Sequence, residues 1–297
     1  MALSQSGFPR GHSREFLTSL AQAMGPLDAM AFDVDGTLAG SDSTVSSRTL
    51  RALTSLANAG IQPIIVTGRI WPAAARILHD AHSPGIVIAS NGAIIGDGAT
   101  DEILYSHPMS AQLSRDVIAF GRDHGLTVTL FLLHHMQADE EDFSSRFLRD
   151  ANDGEAVVID PIDEVDPEDI LKIMYAHPDD QYLDQLTDSI LERFPDFQRS
   201  LPQYFEIVDH GEGKEKALRI VARKLGWDLA RVAGFGDGGN DVDWLRDVGW
   251  PIAMGNARDE VVEVSRAQIG HHADDAVADF IEVYLDIHSS SRPGCLP

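Results

Sequence analysis

Asp33-Val34-Asp35-Gly36-Thr37 directly follows the apolar run Ala29-Met30-Ala31-Phe32, and Gly236-Asp237-Gly238-Gly239-Asn240-Asp241 follows a second run, Val232-Ala233-Gly234-Phe235. Short apolar runs of this kind read as buried strands, so two strand ends each deliver paired carboxylates. In open α/β sheets the carboxyl ends of the strands face the crevice where ligands bind. Carboxylates gathered there repel one another and need a cation to offset the repulsion. The pattern points to magnesium-dependent phosphoryl transfer.

Within that chemistry each residue type suggests a role. A carboxylate can attack phosphorus and split hydrolysis into two easier displacements, which makes Asp33 the candidate nucleophile. Asp35, two residues on in an irregular loop, can serve as general acid to the leaving group and then deprotonate water. Gly36 lets backbone amides come close to a phosphate. Asp237 supplies a further hard oxygen ligand for Mg2+. Asp241, one helical turn along, orients a ligand or the lysine rather than binding metal itself. Asn240 can donate to a phosphate oxygen. Thr67 is a hydroxyl donor at the end of Ile64-Ile65-Val66, although Thr-Gly-Arg alone reads by default as a helix cap. Lys214 opens a helix and is one of only four lysines in the chain. Lys172 lies on a strand candidate, where it can reach the site or simply form an edge charge. The histidine pairs His134-His135 and His271-His272 lack helical metal-ligand spacing and are expected at the surface or in the inserted domain.

The elements that must position these residues alternate along the chain. Apolar runs Ala29 to Phe32, Ile61 to Val66, Ile86 to Ala89, Val232 to Phe235 and Ile252 to Met254 each end in a polar or glycine loop. Helical spacing lies between them: Leu50, Leu53, Leu56 and Ala57 run behind Ser46 and stop at Gly60, and Ala217, Leu218, Val221 and Leu225 stop at Gly226. That order predicts an α/β fold with a parallel sheet. Between about Ala93 and Pro202 the strand candidates Leu126 to Leu133, Ala156 to Ile159 and Ile170 to Tyr175 end in no motif. Helix candidates Leu113 to His124 and Tyr182 to Phe194 separate them. The simplest organisation is a core of residues 25–92 and 203–287, an inserted α/β domain over 93–202, and weakly anchored tails over 1–24 and 288–297.

Composition narrows the partners. The formal net charge is −24, from 47 acidic and 23 basic residues. A nucleic-acid surface is therefore not expected, and a phosphorylated substrate must be held by local positive groups against the global field. No stretch approaches the roughly 20 apolar residues of a membrane span, and residues 1–14 lack an apolar signal core. The single cysteine, Cys295, fits a reducing compartment, so a cytoplasmic location is expected. Nothing in the composition sets the oligomeric state.

Asp-x-Asp-Gly-Thr, a Thr-Gly-Arg strand end, a Gly-x-Lys helix start and Gly-Asp-Gly-x-Asn-Asp, in that order, resemble the four motifs of the haloacid dehalogenase superfamily of phosphatases. Ser90-Asn91-Gly92-Ala93, Phe205-Glu206-Ile207 and Ala253-Met254-Gly255-Asn256-Ala257 resemble its Cof-type branch. The resemblance covers roughly residues 28–287. It implies a Rossmann-like parallel-sheet core with an inserted α/β cap domain. It further implies Mg2+ held by Asp33, the backbone carbonyl of Asp35 and Asp237, with Thr67, Gly68, Lys214 and Asn240 on the phosphate. Arg69, Asn91 and Lys172 are then candidate substrate contacts. The chain departs from the branch at Gly239, at Glu215 and over Gly270 to Val277. The expected activity is hydrolysis of a small phosphomonoester, a sugar phosphate or phosphorylated cofactor, through an Asp33 phosphoenzyme. Alternatives are a phosphomutase on the same fold, a phosphatase dedicated to trehalose- or mannosylglycerate-type phosphates, or an inactive sugar-phosphate-binding protein.

Overall fold

Ala29-Met30-Ala31-Phe32 is buried at every position, as a strand covered on both faces should be. In the computed structural model, which describes residues 8–152 and 157–288, it is the first of fourteen strands. These are β1 (Ala29–Phe32), β2 (Gln62–Val66), β3 (Ile86–Ala89), β4 (Ile94–Asp97), β5 (Ile103–Ser106), β6 (Thr127–Phe131), β7 (Met136–Ala138), β8 (Val157–Ile159), β9 (Lys172–Ala176), β10 (Gln198–Leu201), β11 (Tyr204–Ile207), β12 (Val232–Gly236), β13 (Trp250–Ala253) and β14 (Ala267–Gln268). The helices are α1 (Arg14–Met24), α2 (Ser47–Asn58), α3 (Trp71–Asp80), α4 (Ala111–Asp123), α5 (Phe143–Ala151), α6 (Asp180–Arg193), α7 (Lys214–Leu225), α8 (Val242–Asp247), α9 (Asp259–Val264) and α10 (Ala276–His288). Cys295, residues 1–7 and 289–297 of the expected tails, and Ala156 of one expected strand lie outside the described residues.

The chain divides into two compact units: one is formed by the segments up to Pro63 and from Trp227 onward, the other by Ile64–Gly226. In the first, β14, β13, β12 and β1 lie side by side in that order, all parallel. The parallel arrangement requires helical crossovers, and α8 and α9 supply those from β12 to β13 and from β13 to β14. Helix α2 starts where the Ser46 side chain accepts from the Thr49 amide.

Residues 1–24 do not behave as a weakly anchored tail from Pro9 onward. Arg10 pairs in parallel with Gln268, and the Ser13 hydroxyl caps α1 by accepting from the Phe16 amide. Leu17, Leu20, Ala21 and Met24 then bury one face of α1 in its packing with α10. The apolar residues recur at helical spacing, and their burial outweighs the polar, glycine-containing approach that precedes them.

In the second unit β2 runs parallel to β3, and β4 and β5 continue antiparallel from it. The sheet expected for the insertion therefore begins later than residue 93, because residues 94–106 extend β3 instead. A separate six-stranded sheet has the order β10-β11-β9-β6-β7-β8, antiparallel except for β7 with β8. Side chains alternate across it. One face, with Ile173, Tyr175 and Phe205, packs against Val117 of α4 and Leu183 and Ile190 of α6. The other, with Phe131, Met174 and Tyr204, packs against Leu148 of α5 and against Ile70 and Ala73 at the start of α3. That second contact sets the sheet directly beside the Thr67-Gly68-Arg69 loop.

Buried Tyr284 on α10 offers a stability test. Its hydroxyl accepts from the Leu27 amide at 2.9 Å and donates to the Gly25 carbonyl at 2.8 Å, fixing the turn between α1 and β1. Tyr284→Phe keeps the ring but leaves a buried amide without that acceptor, and is expected to cost about 1–3 kcal/mol. Urea unfolding measures it, and an unchanged midpoint would show that the turn does not depend on the hydroxyl.

Candidate active site

The end of β1 places Asp33, 6% exposed, where its amide donates to the Phe235 carbonyl of β12 at 2.9 Å. The following loop winds around one acceptor: the Val34 carbonyl takes hydrogen bonds from the amides of Thr37, Leu38 and Ala39 at 2.9–3.1 Å. Asp35 stands exposed on that loop. Gly36 has φ +87°, and a Cβ there would lie 2.3 Å from an Asp237 carboxylate oxygen. Only glycine lets the first motif close this tightly on the second.

Asp237, at the end of β12, is held from two sides. The Thr37 hydroxyl donates to Oδ1 at 3.3 Å, and the Asn256 amide donates to Oδ2 at 3.1 Å and to the Gly36 carbonyl at 2.9 Å. Asp241 is fully buried. Its Oδ2 accepts from the amides of Asp237 and Gly238, each at 3.1 Å, and its Oδ1 accepts from Trp244 Nε1 at 2.9 Å. Asn240 sits half-buried in the same turn.

Ligand oxygens of Asp33, Asp237 and Asp241 all lie within 4.8 Å of one another. Three carboxylates at that spacing, two of them buried, are a hard-oxygen donor set that fits a divalent cation. Asp241 accepts from three N–H donors, which suits a carboxylate that shapes the loop.

A second cluster lies in the other unit. The Thr67 amide continues β2 by donating to the Ile88 carbonyl, and the Thr67 carbonyl accepts from the Asn91 amide at 3.0 Å. Ser90, Asn91 and Gly92 all have left-handed φ, at 48°, 53° and 100°. Three such residues in a row, two of them not glycine, store strain of the kind that marks functional turns. At Gly92 a Cβ would lie 2.3 Å from the Gly213 carbonyl oxygen and 3.0 Å from the Lys214 nitrogen. The start of α7 is thus pressed against this turn, and Thr67, Asn91 and Lys214 are brought together. Lys214 and Arg69 are both buried.

Lys172, 1% exposed, also belongs to this cluster. Its ammonium donates to the Gly68 carbonyl at 2.8 Å and to Glu206 Oε2 at 2.9 Å, and lies 3.7 Å from the centre of the Phe131 ring. Glu206 also accepts from Asn91 Nδ2 at 2.6 Å and from the Ser200 hydroxyl at 3.0 Å. Burial pushes the Glu206 carboxyl up, but the Lys172 charge and the three donors outweigh it and leave the group below the ordinary carboxylate value.

Glu206, Asn256 and Trp244 were not singled out as site residues from the sequence. The first two stood in stretches quoted for the family resemblance, but nothing in a residue's type reveals that its partner is over a hundred positions away. Among the described residues no helix is long and apolar enough to cross a membrane.

Comparison with known proteins agrees with this geometry. A family model described as haloacid dehalogenase-like hydrolase matches residues 30–281. The chain is 25% identical over 270 residues to a pyridoxal phosphate phosphatase of Escherichia coli, covering 86% of this chain and 98% of the relative. It is 28% identical over 259 residues to an HMP-PP phosphatase of Yersinia pseudotuberculosis, covering 86% and 94%. A haloacid dehalogenase-like hydrolase from Bacteroides thetaiotaomicron superposes with a TM-score of 0.76 at 21% identity, over 86% of this chain and 98% of that one, and shares the fold. With four motifs in order, a parallel α/β core and a family match across most of its length, the chain belongs to the haloacid dehalogenase-like hydrolases.

Proposed function

We propose that the chain is a phosphatase that hydrolyses a small phosphomonoester, a sugar phosphate or phosphorylated cofactor, through an aspartyl phosphate on Asp33. The observation that carries this reading is the convergence of Asp33, Asp237 and Asp241 within 4.8 Å at two strand ends. The relatives named for pyridoxal phosphate and HMP-PP support the substrate class.

In the proposed reaction an Asp33 oxygen attacks phosphorus as the bond to the leaving alkoxide breaks, and Asp35 passes its proton to that alkoxide. Water then attacks the acyl phosphate, giving its proton to Asp35 and releasing inorganic phosphate and free Asp33. Asp35 stands exposed to solvent on its loop. Asp33, the Asp35 carbonyl and Asp237 would hold Mg2+, which when bound neutralises the carboxylates and the phosphoryl oxygens. Thr67, the Gly68 loop, Lys214 and Asn240 hold the phosphate oxygens. The insertion acts as a cap, supported by the packing of Phe131, Met174 and Tyr204 beside the Thr67 loop.

Asp33→Asn is expected to abolish turnover, since an amide is no nucleophile here; steady-state phosphate release by a clean preparation would remove the phosphoenzyme. Asp35→Asn is expected to lose about 10² to 10⁴ in rate while still binding metal, and a loss under about threefold would deny it the acid–base role.

Removal of divalent cations by a chelator should silence phosphate release, with Mg2+ restoring it and Ca2+ restoring less because of its larger, looser coordination. Full activity in excess chelator would contradict the roles given to Asp33 and Asp237.

The sheet packed beside the phosphate loop should admit metabolites and exclude macromolecules. We expect kcat/KM for hexose and pentose phosphates and phosphorylated cofactors to exceed that for phosphoserine in folded proteins. Equal or better values with phosphoproteins would overturn the cap assignment.

A further inference from the structure

We propose that Lys172 is a positioning residue that sets the Thr67 hydroxyl as a hydrogen-bond donor, acting through the Gly68–Arg69 peptide rather than touching substrate. The inference rests on the reading that Thr67 holds a phosphate oxygen.

A trans peptide is planar, and its C=O and N–H point in opposite directions. One end of the Gly68–Arg69 peptide, the Gly68 carbonyl, accepts from Lys172 Nζ at 2.8 Å. The other end, the Arg69 amide, donates to Thr67 Oγ1 at 3.1 Å. A hydroxyl oxygen that accepts from a fixed N–H must turn its own hydrogen elsewhere, so Thr67 faces a ligand as donor. Phosphate oxygens are acceptors, and this is the polarity they require. Charge on the carbonyl side also polarises the peptide, which strengthens the N–H as donor.

Lys172 is poorly placed to attract substrate by its own charge. Its ammonium is neutralised by Glu206 at 2.9 Å and covered by the Phe131 ring. Glu206 in turn takes Asn91 Nδ2, while the Asn91 amide holds the Thr67 carbonyl. The carbonyl and the hydroxyl of Thr67 are thus both tied to one Lys–Glu pair, fully buried at the lysine and largely so at the glutamate. Such a pair is weak evidence for stability, because apolar replacements of similar volume often serve as well. A role in orienting Thr67 gives the pair a use beside the phosphate loop.

The test is a double-mutant cycle between Thr67→Ala and the paired change Lys172→Met with Glu206→Gln, which removes both charges and leaves neither buried alone. Readouts are the Kd for inorganic phosphate and kcat/KM for p-nitrophenyl phosphate, with thermal unfolding as the check on folding. In the native background Thr67→Ala is expected to weaken phosphate binding about tenfold or more, and in the paired background less than about threefold. Lys172→Gln, neutral and on a shorter stem, is the second variant and should show the same loss of Thr67 dependence if the paired variant does not fold. A full Thr67 penalty in either folded background overturns the proposal, because a direct substrate contact or a purely structural lysine adds independently. So does a native protein in which Thr67→Ala leaves phosphate binding unchanged. If native protein binds phosphate but releases none from phosphomonoesters, the phosphatase reading fails while the binding cycle still decides the role of Lys172.

Discussion

Three carboxylates within 4.8 Å, in a chain of net charge −24, repel each other strongly enough that the surrounding structure must hold them there. Neutral donors take part in that holding. Asp241 gives both oxygens to two backbone amides and an indole N–H, and Asp237 is gripped by Thr37 and Asn256. The parallel register of β1 against β12, with Phe32 opposite Phe235, then puts the two acidic loops at one level. Shifting either strand by one residue would turn its side chains to the other face and separate the carboxylates.

The second cluster solves a related problem with the opposite means. There a buried ammonium is paired with a part-buried carboxylate, and around Thr67 Lys172 donates to the Gly68 carbonyl while Glu206 accepts from the Asn91 side chain. The strained Ser90-Asn91-Gly92 turn makes this possible by bringing Asn91 alongside both Thr67 and Glu206. Strain of that sort persists only where neighbours over-determine it, and here the abutting start of α7 leaves the turn little room to relax.

Much of this was legible in the residues. Apolar runs of four to six positions ending in acidic or hydroxyl residues located β1, β2, β3, β12 and the motifs on them, because burial on both faces leaves little choice of side chain. The helices behind Ser46 and up to Gly226 followed from caps and spacing. What stayed hidden depended on distant partners. Ile94-Ile95-Gly96 reads as a strand in any sheet, and its pairing with β3 instead of the insertion's sheet is decided by chain path. Helix α1 was obscured by its polar approach, although Leu17, Leu20 and Met24 carry the required period. Glu206 and Asn256 look like ordinary polar residues at strand ends, and their importance lies in distances that no spacing along the chain encodes.

The shortage of lysine gives these arrangements a common logic. With four lysines in 297 residues and a strongly negative overall field, long-range attraction cannot gather a phosphorylated substrate. Lys172 is cancelled by Glu206, and Lys216 is bound to Glu212, so neither contributes a net positive charge at its position. In the proposed function the work of holding phosphate would then fall to short-range groups: the hydroxyl of Thr67, main-chain amides of the loops, and Lys214, buried where it opens α7. Such donors act only over hydrogen-bond distances and only when aimed, which makes orientation rather than charge the quantity the fold must control. The buried pair beneath Gly68 and the saturated Asp241 are two expressions of that requirement.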